Sequence, residues 1–139
     1  MLLLTNQRDV TADLVVRRLR ESAVPYLRLN SDDISDWTID VRPHENHWEI
    51  RRDGRVLDLS GVVGVWFRRP DPAFIAGLRD LPTAQRDFGR DQWSALIRNL
   101  EALPGASWIN PPARNRAAES KALQLRLAQE CGLNIPRTL

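Results

Sequence analysis

Cysteine, signal-like segments and long apolar runs are scarce or missing in this sequence. Its 139 residues include one cysteine, Cys131, which excludes an internal disulfide and fits a reducing cytoplasm. The apolar start Met-Leu-Leu-Leu gives way to polar residues at Asn6 and is too short for a signal peptide, and no later apolar run is long enough to cross a bilayer. We therefore expect a cytoplasmic protein with no membrane partner.

An excess of charge of one sign is also missing. The formal net charge is +2, from 20 basic and 18 acidic residues, and the longest basic clusters are pairs. Bulk charge therefore gives little support to nucleic-acid binding, and we expect no nucleic-acid partner. The length and a hydrophobic content of 42% fit one domain with a real core.

Several sequence motifs of common enzymes do not occur. The loop that follows the first predicted strand, residues 6–9, has no G-x-G-x-x-G, and the chain has no G-x-x-x-x-G-K. Dinucleotide and P-loop functions are therefore poorly supported. No Ser/His/Asp or Cys/His set and no magnesium-binding group of acids stands out either.

The first thirty residues predict a strand, a helix and a second strand. Residues 2–5 are apolar, residues 26–29 form the second strand after Pro25, and Thr11 is placed to cap the helix between them. The helix has one apolar face, formed by Ala12, Val15, Val16, Leu19 and Ala23. This order predicts a parallel pair of strands with a right-handed crossover.

The rest of the chain predicts an antiparallel excursion followed by a return to the main sheet. Apolar residues alternate over 37–41 and 48–50, Asp53-Gly54 signals a hairpin turn, and 62–67 is a continuous apolar strand. A loop follows, with a short helical turn around Phe74. Thr83 and Asn115 are then expected to cap two helices that flank a short strand at 107–110; the apolar stripe of the first helix consists of Trp93, Leu96, Ile97, Leu100 and Leu103. The sum is a three-layer α/β domain of Rossmann-like type: a mostly parallel sheet flanked by helices, with a hairpin excursion.

Arg68 and Arg69 follow the predicted strand 62–67 and precede Pro70. Ligands of open α/β sheets bind outside the carboxyl ends of the strands. Two guanidiniums there could hold a phosphate or a carboxylate through paired hydrogen bonds. Alternatively, one arginine pairs with a nearby aspartate while the other is solvated, and position alone does not decide between the two.

Lys121 is the only lysine in the chain. An ammonium group suits phosphate oxygens as a point charge. By itself, however, its place in the first half of a predicted helix favours a solvated helix face near Glu119 or Gln124.

Other polar clusters favour structural roles. Asp32, Asp33 and Asp36 lie in a normal turn sequence, and His44 and His47 fit an exposed hairpin, so we expect no metal site. Cys131 lies at the end of a helix, where the helix dipole disfavours a thiolate, and we expect it to pack as a small residue.

Taken together, pieces from nearly the whole chain resemble a known family, the N-terminal pre-ATP-grasp domain of MvdD-like ATP-grasp peptide maturases, the enzymes of microviridin or graspetide type. The matching pieces are Leu-Leu-Leu-Thr with Asp9-Val-Thr-Ala-Asp13, Val24-Pro with Leu27-Arg-Leu-Asn30 and Asp33, Val65-Trp-Phe-Arg-Arg-Pro70, Trp108-Ile-Asn-Pro111, and the tail Ala118-x-x-Lys121-x-x-Gln124-Leu125-x-x-Ala128-x-x-x-Gly132-Leu-x-x-Pro136-x-Thr138-Leu139. Each piece alone is weak, but their order and spacing are specific.

The resemblance implies an ATP-dependent carboxylate ligase. In such enzymes ATP, with Mg²⁺, phosphorylates a side-chain carboxyl of a ribosomally made precursor peptide, and a hydroxyl or amine of the same peptide then displaces the phosphate to form an ω-ester or ω-amide. Lys121 matches a lysine that related ligases place against the ATP phosphates. Arg68 and Arg69 would then lie on the cleft side of the domain, near a peptide carboxylate or a phosphate.

The resemblance also sets expectations about domains and partners. Residues 1–112 would be the pre-ATP-grasp domain, and 113–139 a linker helix that leads to an ATP-grasp domain, present in cis or in trans. Because that domain would hold most contacts to ATP and Mg²⁺, we expect no catalysis by this chain alone. Members of the family often dimerise, so a homodimer is an expectation too. The alternatives are a stand-alone module that binds a peptide or a partner without catalysis, and a receiver-type regulator, which the acids near Asp9 and Asp33 support poorly.

Overall fold

Two sheets organise the chain, which we describe from a computed structural model over residues 1–71 and 75–136. In chain order the helices and strands are β1 (Leu2–Thr5), α1 (Val10–Glu21), β2 (Leu27–Asn30), β3 (Thr38–Arg42), β4 (His47–Arg52), β5 (Arg55–Asp58), β6 (Gly64–Phe67), α2 (Thr83–Asn99), β7 (Ser107–Ile109), α3 (Pro112–Ala118) and α4 (Lys121–Glu130). The turn expected around Phe74 lies outside the described residues.

The main sheet has four parallel strands in the order β2-β1-β6-β7. Its inner strand β1 is fully buried, and the three leucines of β1 are each at most 1% exposed. A run of apolar residues is typical of a parallel strand covered on both faces, which explains why β1 shows no alternation. The predicted α/β class and its mostly parallel sheet are confirmed.

The excursion between β2 and β6 is a separate antiparallel sheet in the order β3-β4-β5. Asp53 and Gly54 connect β4 to β5 with φ angles of 52° and 73°, as a tight hairpin turn of primed type requires. Trp48 and Ile50 on β4 are buried in the same core as Leu2 and Leu4. The second sheet therefore packs on the main core and closes it on one side.

The helix starts differ from the sequence predictions. Asp9, rather than Thr11, caps α1: its carboxylate accepts hydrogen bonds from the backbone amides of Thr11 and Ala12. Thr83 is the first residue of α2, which follows Pro82 and has no side-chain cap. A proline before a helix fixes an extended backbone, so it can mark a helix start without a capping hydrogen bond.

The predicted final helix is two helices. Asn115 lies inside α3 and does not cap it; α3 begins at Pro112, where proline is favoured because its missing N–H would have no partner. Ser120 separates the two helices with an extended backbone, and its hydroxyl accepts a hydrogen bond from the amide of Leu123. Within the described residues, no helix has both the length and the apolar character needed to cross a bilayer.

Asp9 joins β1, α1 and the end of β6. One carboxylate oxygen caps α1, and the other accepts hydrogen bonds from the Thr5 hydroxyl and from Nε of Arg68, both at 3.1 Å. Burial of Asp9 raises its pKa, but the Ala12 amide, the Thr5 hydroxyl and the Arg68 guanidinium together outweigh burial, so its pKa lies below the ordinary 3.8. The charged carboxylate therefore stabilises the folded state.

We expect Asp9→Asn to lower stability at neutral pH and to weaken the acid dependence of unfolding. A lowered folded-state pKa gives a contribution that is complete above about pH 4 and is lost as the pH falls through the folded value. The variant keeps a capping oxygen but loses the charge that faces Arg68, so its free energy of unfolding should fall by about 1–2 kcal/mol at pH 7. Urea denaturation between about pH 2 and pH 7 measures both effects.

Asp91→Asn, at an exposed position of α2, is the matched control and should change stability by less than about 0.5 kcal/mol. An Asp9→Asn protein that loses stability in acid as steeply as the unaltered protein would contradict this account.

Arg52 ties the second sheet to the turn that follows β2. Its guanidinium donates to Asp33 at 2.8 Å and to Asp36 at 3.1 Å, and it lies 5.4 Å from the centre of the Trp37 ring. Both aspartates belong to the 3₁₀ turn Ser31–Asp36. One side chain thus links β4 to the edge of the main sheet.

Removal of this link should loosen the second sheet. We expect Arg52→Ala to lower the free energy of unfolding by about 1–3 kcal/mol, because two charged hydrogen bonds are lost and a partly buried Asp33 is left without its cation. Arg55→Ala, which alters the exposed residue opposite Arg52 across the hairpin, should cost less than about 0.5 kcal/mol. Equal losses in urea denaturation would mean that the link to the turn is unimportant.

Candidate functional site

A crevice lies where the carboxyl ends of β1 and β6 meet. Its walls come from the loop after β1, from the first turn of α1 and from the two residues that follow β6, and its volume is about 320 Å³. It is lined by Asn6, Arg8, Asp9, Val10, Thr11, Arg68 and Arg69. The chain leaves β1 towards β2 on one side and leaves β6 towards β7 on the other, so the crevice lies at the point where the strand order reverses. Ligands of open α/β sheets bind at such points.

Arg68 has its hydrogen-bonding groups largely occupied by the protein. Its Nε donates to Asp9, a second nitrogen donates to the Thr11 hydroxyl at 3.2 Å, and the guanidinium carbon lies 5.8 Å from the centre of the Trp66 ring. Its backbone amide extends the parallel ladder by donating to Leu4 at 2.7 Å. Arg68 therefore fastens β6 to β1 and to α1.

Arg69 differs from Arg68 in its exposure, its backbone conformation and its side-chain contacts. It is exposed, and its φ of 47° places it in the left-handed region that residues with a side chain rarely adopt. The Asn6 side chain holds this conformation by donating to the Arg69 carbonyl at 2.7 Å. Across residues 1–71 and 75–136, the Arg69 guanidinium has no hydrogen-bond or ion-pair partner.

Lys121 lies far along the chain from this crevice and does not line it. It is the first residue of α4, is exposed, and donates from Nζ to Oε1 of Gln124 at 3.1 Å. This geometry matches the solvated helix face near Gln124 that the position of Lys121 in the sequence favours. Lys121 also does not line the cavity between β3 and α2, the cavity between β6 and α3, or the cavity beside the start of β2.

The aspartates and histidines named from the sequence lie beside other protein groups, whereas Cys131 is exposed and does not pack as the sequence predicts. Asp32 accepts a hydrogen bond from the backbone amide of Gln7, while Asp33 and Asp36 hold Arg52. His44 and His47 lie 3.2 Å from neighbouring carboxylates, and Cys131 is exposed at the end of α4. In the part of the chain that the structure describes, no group of three or more histidine, cysteine or acidic side chains could hold a metal ion.

Two larger cavities lie away from the strand ends. One, of about 630 Å³, lies between β3 and the end of α2. The other, of about 670 Å³, lies between the start of β2 and the hairpin formed by β4 and β5. In the cavity of about 670 Å³, the guanidinium of Arg52 already forms ion pairs with three aspartates. Size alone therefore does not identify the site, and the crevice is preferred for its place in the topology and its arginines.

Sequence reasoning found Arg68 and Arg69 but not Asn6 or Thr11 as parts of the same site. The sequence predicts Thr11 only as a helix cap, and for the loop that contains Asn6 it indicates only that the glycine-rich motif is missing. The available signal was the position of both residues just after β1. The missing fact was that β6 pairs with β1, which brings residues about sixty positions apart to one edge.

The chain is similar to solved structures over almost its whole length. The macrocyclase MdnC from Microcystis aeruginosa MRC, bound with the precursor peptide MdnA, superposes with a TM-score of 0.87 at 26% sequence identity. The macrocyclase MdnB from the same organism gives 0.75 at 26% identity, and the ATP-grasp ligase PsnB, complexed with a minimal precursor, Mg and ADP, gives 0.75 at 19%.

These matches cover 99% of this chain but only about half of the other proteins, 46% of MdnC and of MdnB and 45% of PsnB. No protein-family model and no functionally curated protein matches the sequence. The resemblance predicted from the sequence is nevertheless confirmed as a likeness of structure: over 99% of its length the chain is similar to part of the macrocyclases MdnC and MdnB and of the ATP-grasp ligase PsnB, which is consistent with a pre-ATP-grasp domain.

Proposed function

We propose that the protein is the pre-ATP-grasp domain of an ATP-dependent carboxylate ligase that forms ω-ester or ω-amide crosslinks in a ribosomally made precursor peptide. The observation that carries this proposal is the superposition on MdnC, a macrocyclase bound to its precursor peptide, with a TM-score of 0.87 over 99% of the chain. In this reaction a peptide carboxyl takes the terminal phosphoryl group of ATP and releases ADP. A hydroxyl or amine of the peptide then displaces phosphate and gives up its proton.

The ATP-grasp part of the ligase would pack against α4, in cis or in trans. None of the residues of α4 is buried, and apolar side chains on it and just after it are open to solvent, with Leu127 46% and Leu133 64% exposed. Large apolar residues grouped on a surface favour contact with another protein surface. A domain that covers α4 would also face Lys121 at its first turn.

In the proposed ligase, Lys121 binds ATP phosphates. It is the sole lysine in the sequence, and among the described residues its exposed ammonium at the start of α4 is held by one neutral amide, Gln124, which a triphosphate would readily replace. The described residues offer no group of acids for Mg²⁺, and in the proposed ligase the ATP-grasp domain would hold the metal. Cytoplasmic location is part of the same proposal, because ATP and newly made peptides are available there.

The second candidate function is a stand-alone module that binds a peptide or a partner protein without catalysis. The crevice supports it, since a site formed within this chain needs no second domain to exist. The two candidates differ in whether ATP is consumed.

Mass spectrometry of a peptide produced together with the enzyme separates the candidates. The whole reading frame that contains this sequence is expressed with a candidate precursor peptide and, where that frame holds no ATP-grasp domain, with the separate protein that supplies one. The ligase proposal predicts loss of one water per crosslink, dependent on ATP. A peptide that is bound but recovered with its mass unchanged would establish the binding module instead.

In that whole protein, Lys121→Ala should weaken ATP binding by about tenfold and leave the melting temperature unchanged, because an exposed side chain that contacts phosphate contributes to binding alone. Isothermal titration calorimetry with ATP measures the affinity. Arg126→Ala removes another exposed cation from the same helix and serves as the control. Unchanged ATP affinity in Lys121→Ala would discard this role.

A further inference from the structure

The crevice between β1 and β6 has an unbalanced charge. Its lining includes the guanidiniums of Arg68 and Arg69 and the carboxylate of Asp9. That carboxylate is buried and already bound by two backbone amides, the Thr5 hydroxyl and Arg68. The wall that faces solvent is therefore positive, in a concave site where charge is screened less than on an open surface.

The two adjacent arginines cannot serve the same purpose. Arg68 is held by Asp9, Thr11 and Trp66, so to bind a ligand it would have to break contacts that join β6 to α1. Within residues 1–71 and 75–136 the Arg69 guanidinium has no such partner, so it can form the paired hydrogen bonds that a carboxylate or a phosphate accepts.

The backbone of Arg69 is set in an unfavourable conformation. A left-handed residue with a side chain costs free energy and persists only where its surroundings hold it, here through the hydrogen bond from Asn6. The same loop of Asn6 forms the opposite wall of the crevice, so one contact fixes both the shape of the crevice and the place of Arg69.

We propose that Arg69 binds the oxyanion of a ligand in this crevice, a carboxylate or a phosphate, while Arg68 holds the crevice together. The inference rests on the proposed function only for the source of the anion: a glutamate or aspartate side chain of the precursor peptide, or a phosphate group. Binding itself is a property of this chain and requires neither ATP nor a second domain.

Nuclear magnetic resonance of arginine side-chain N–H groups tests the proposal directly. The protein is titrated with N-acetyl-glutamate amide, which carries one carboxylate, with inorganic phosphate, and with neutral N-acetyl-glutamine amide. We expect the Arg69 signal to shift saturably with at least one of the two anions and with none of the neutral compound. Response to the glutamate compound alone assigns a peptide carboxylate, and response to phosphate alone assigns a phosphoryl group.

Variants separate the roles of the two arginines. Arg69→Ala should raise the dissociation constant by about tenfold or more, whereas Arg17→Ala, at an exposed position of α1 outside the crevice, should leave it unchanged. Arg68→Lys retains a cation beside Asp9 so that the fold survives; it should lower the melting temperature but keep the dissociation constant within about twofold.

Saturable binding of neither anion, or equal binding by the unaltered protein and Arg69→Ala, would overturn the proposal. A folded Arg68→Lys protein that loses binding as fully as Arg69→Ala would overturn the division of roles. Anion binding at Arg69 in a protein whose precursor peptide is never modified would leave this inference standing and reject the ligase function alone.

Discussion

The parallel pairing of β1 with β6 is the constraint on which the rest of the molecule depends. It places Leu4 beside Phe67, and the ladder continues one residue further through the amide of Arg68. The residues that leave the two strands are thereby held at one edge of the sheet, and the ion pair between Asp9 and Arg68 fastens them there. Without this pairing neither the core around β1 nor the crevice would exist.

The molecule has a buried core around this pairing and an exposed helix away from it. The leucines of β1 and the buried face of the second sheet form one core, and Arg52 closes the second sheet onto it. On the other side, the last described helix carries exposed apolar side chains and the chain's single lysine. Both features lie on a chain that matches 46% of the length of MdnC.

Local patterns made much of this predictable. The run Leu2-Leu-Leu4 predicts a buried parallel strand, alternating residues predict the second sheet, and Asp53-Gly54 predicts its hairpin, because each follows from side-chain periodicity or backbone preference over a few residues. The two arginines before Pro70 were identified as candidates for the same reason: they directly follow a recognisable strand.

The remainder depends on contacts between distant parts of the chain. Asp9 was not predicted as the helix cap because Thr11 is an equally good capping residue locally, and it is Arg68, which contacts Asp9 from the end of β6, that makes this position decisive. Asn115 and Ser120 both have capping side chains, and the sequence could not show which one begins a helix. The side-chain contacts of Arg68 and Arg69 differ because the strand order brings different partners to each of them.

Hydrogen–deuterium exchange, followed by mass spectrometry as a candidate precursor peptide is added, tests most directly whether this edge of the sheet is where the protein binds the proposed peptide. The account predicts slower exchange in residues 6–12 and 67–71, which surround the crevice, with little change in β4 and β5. Protection confined to the second sheet, with the crevice residues unaffected, would contradict it.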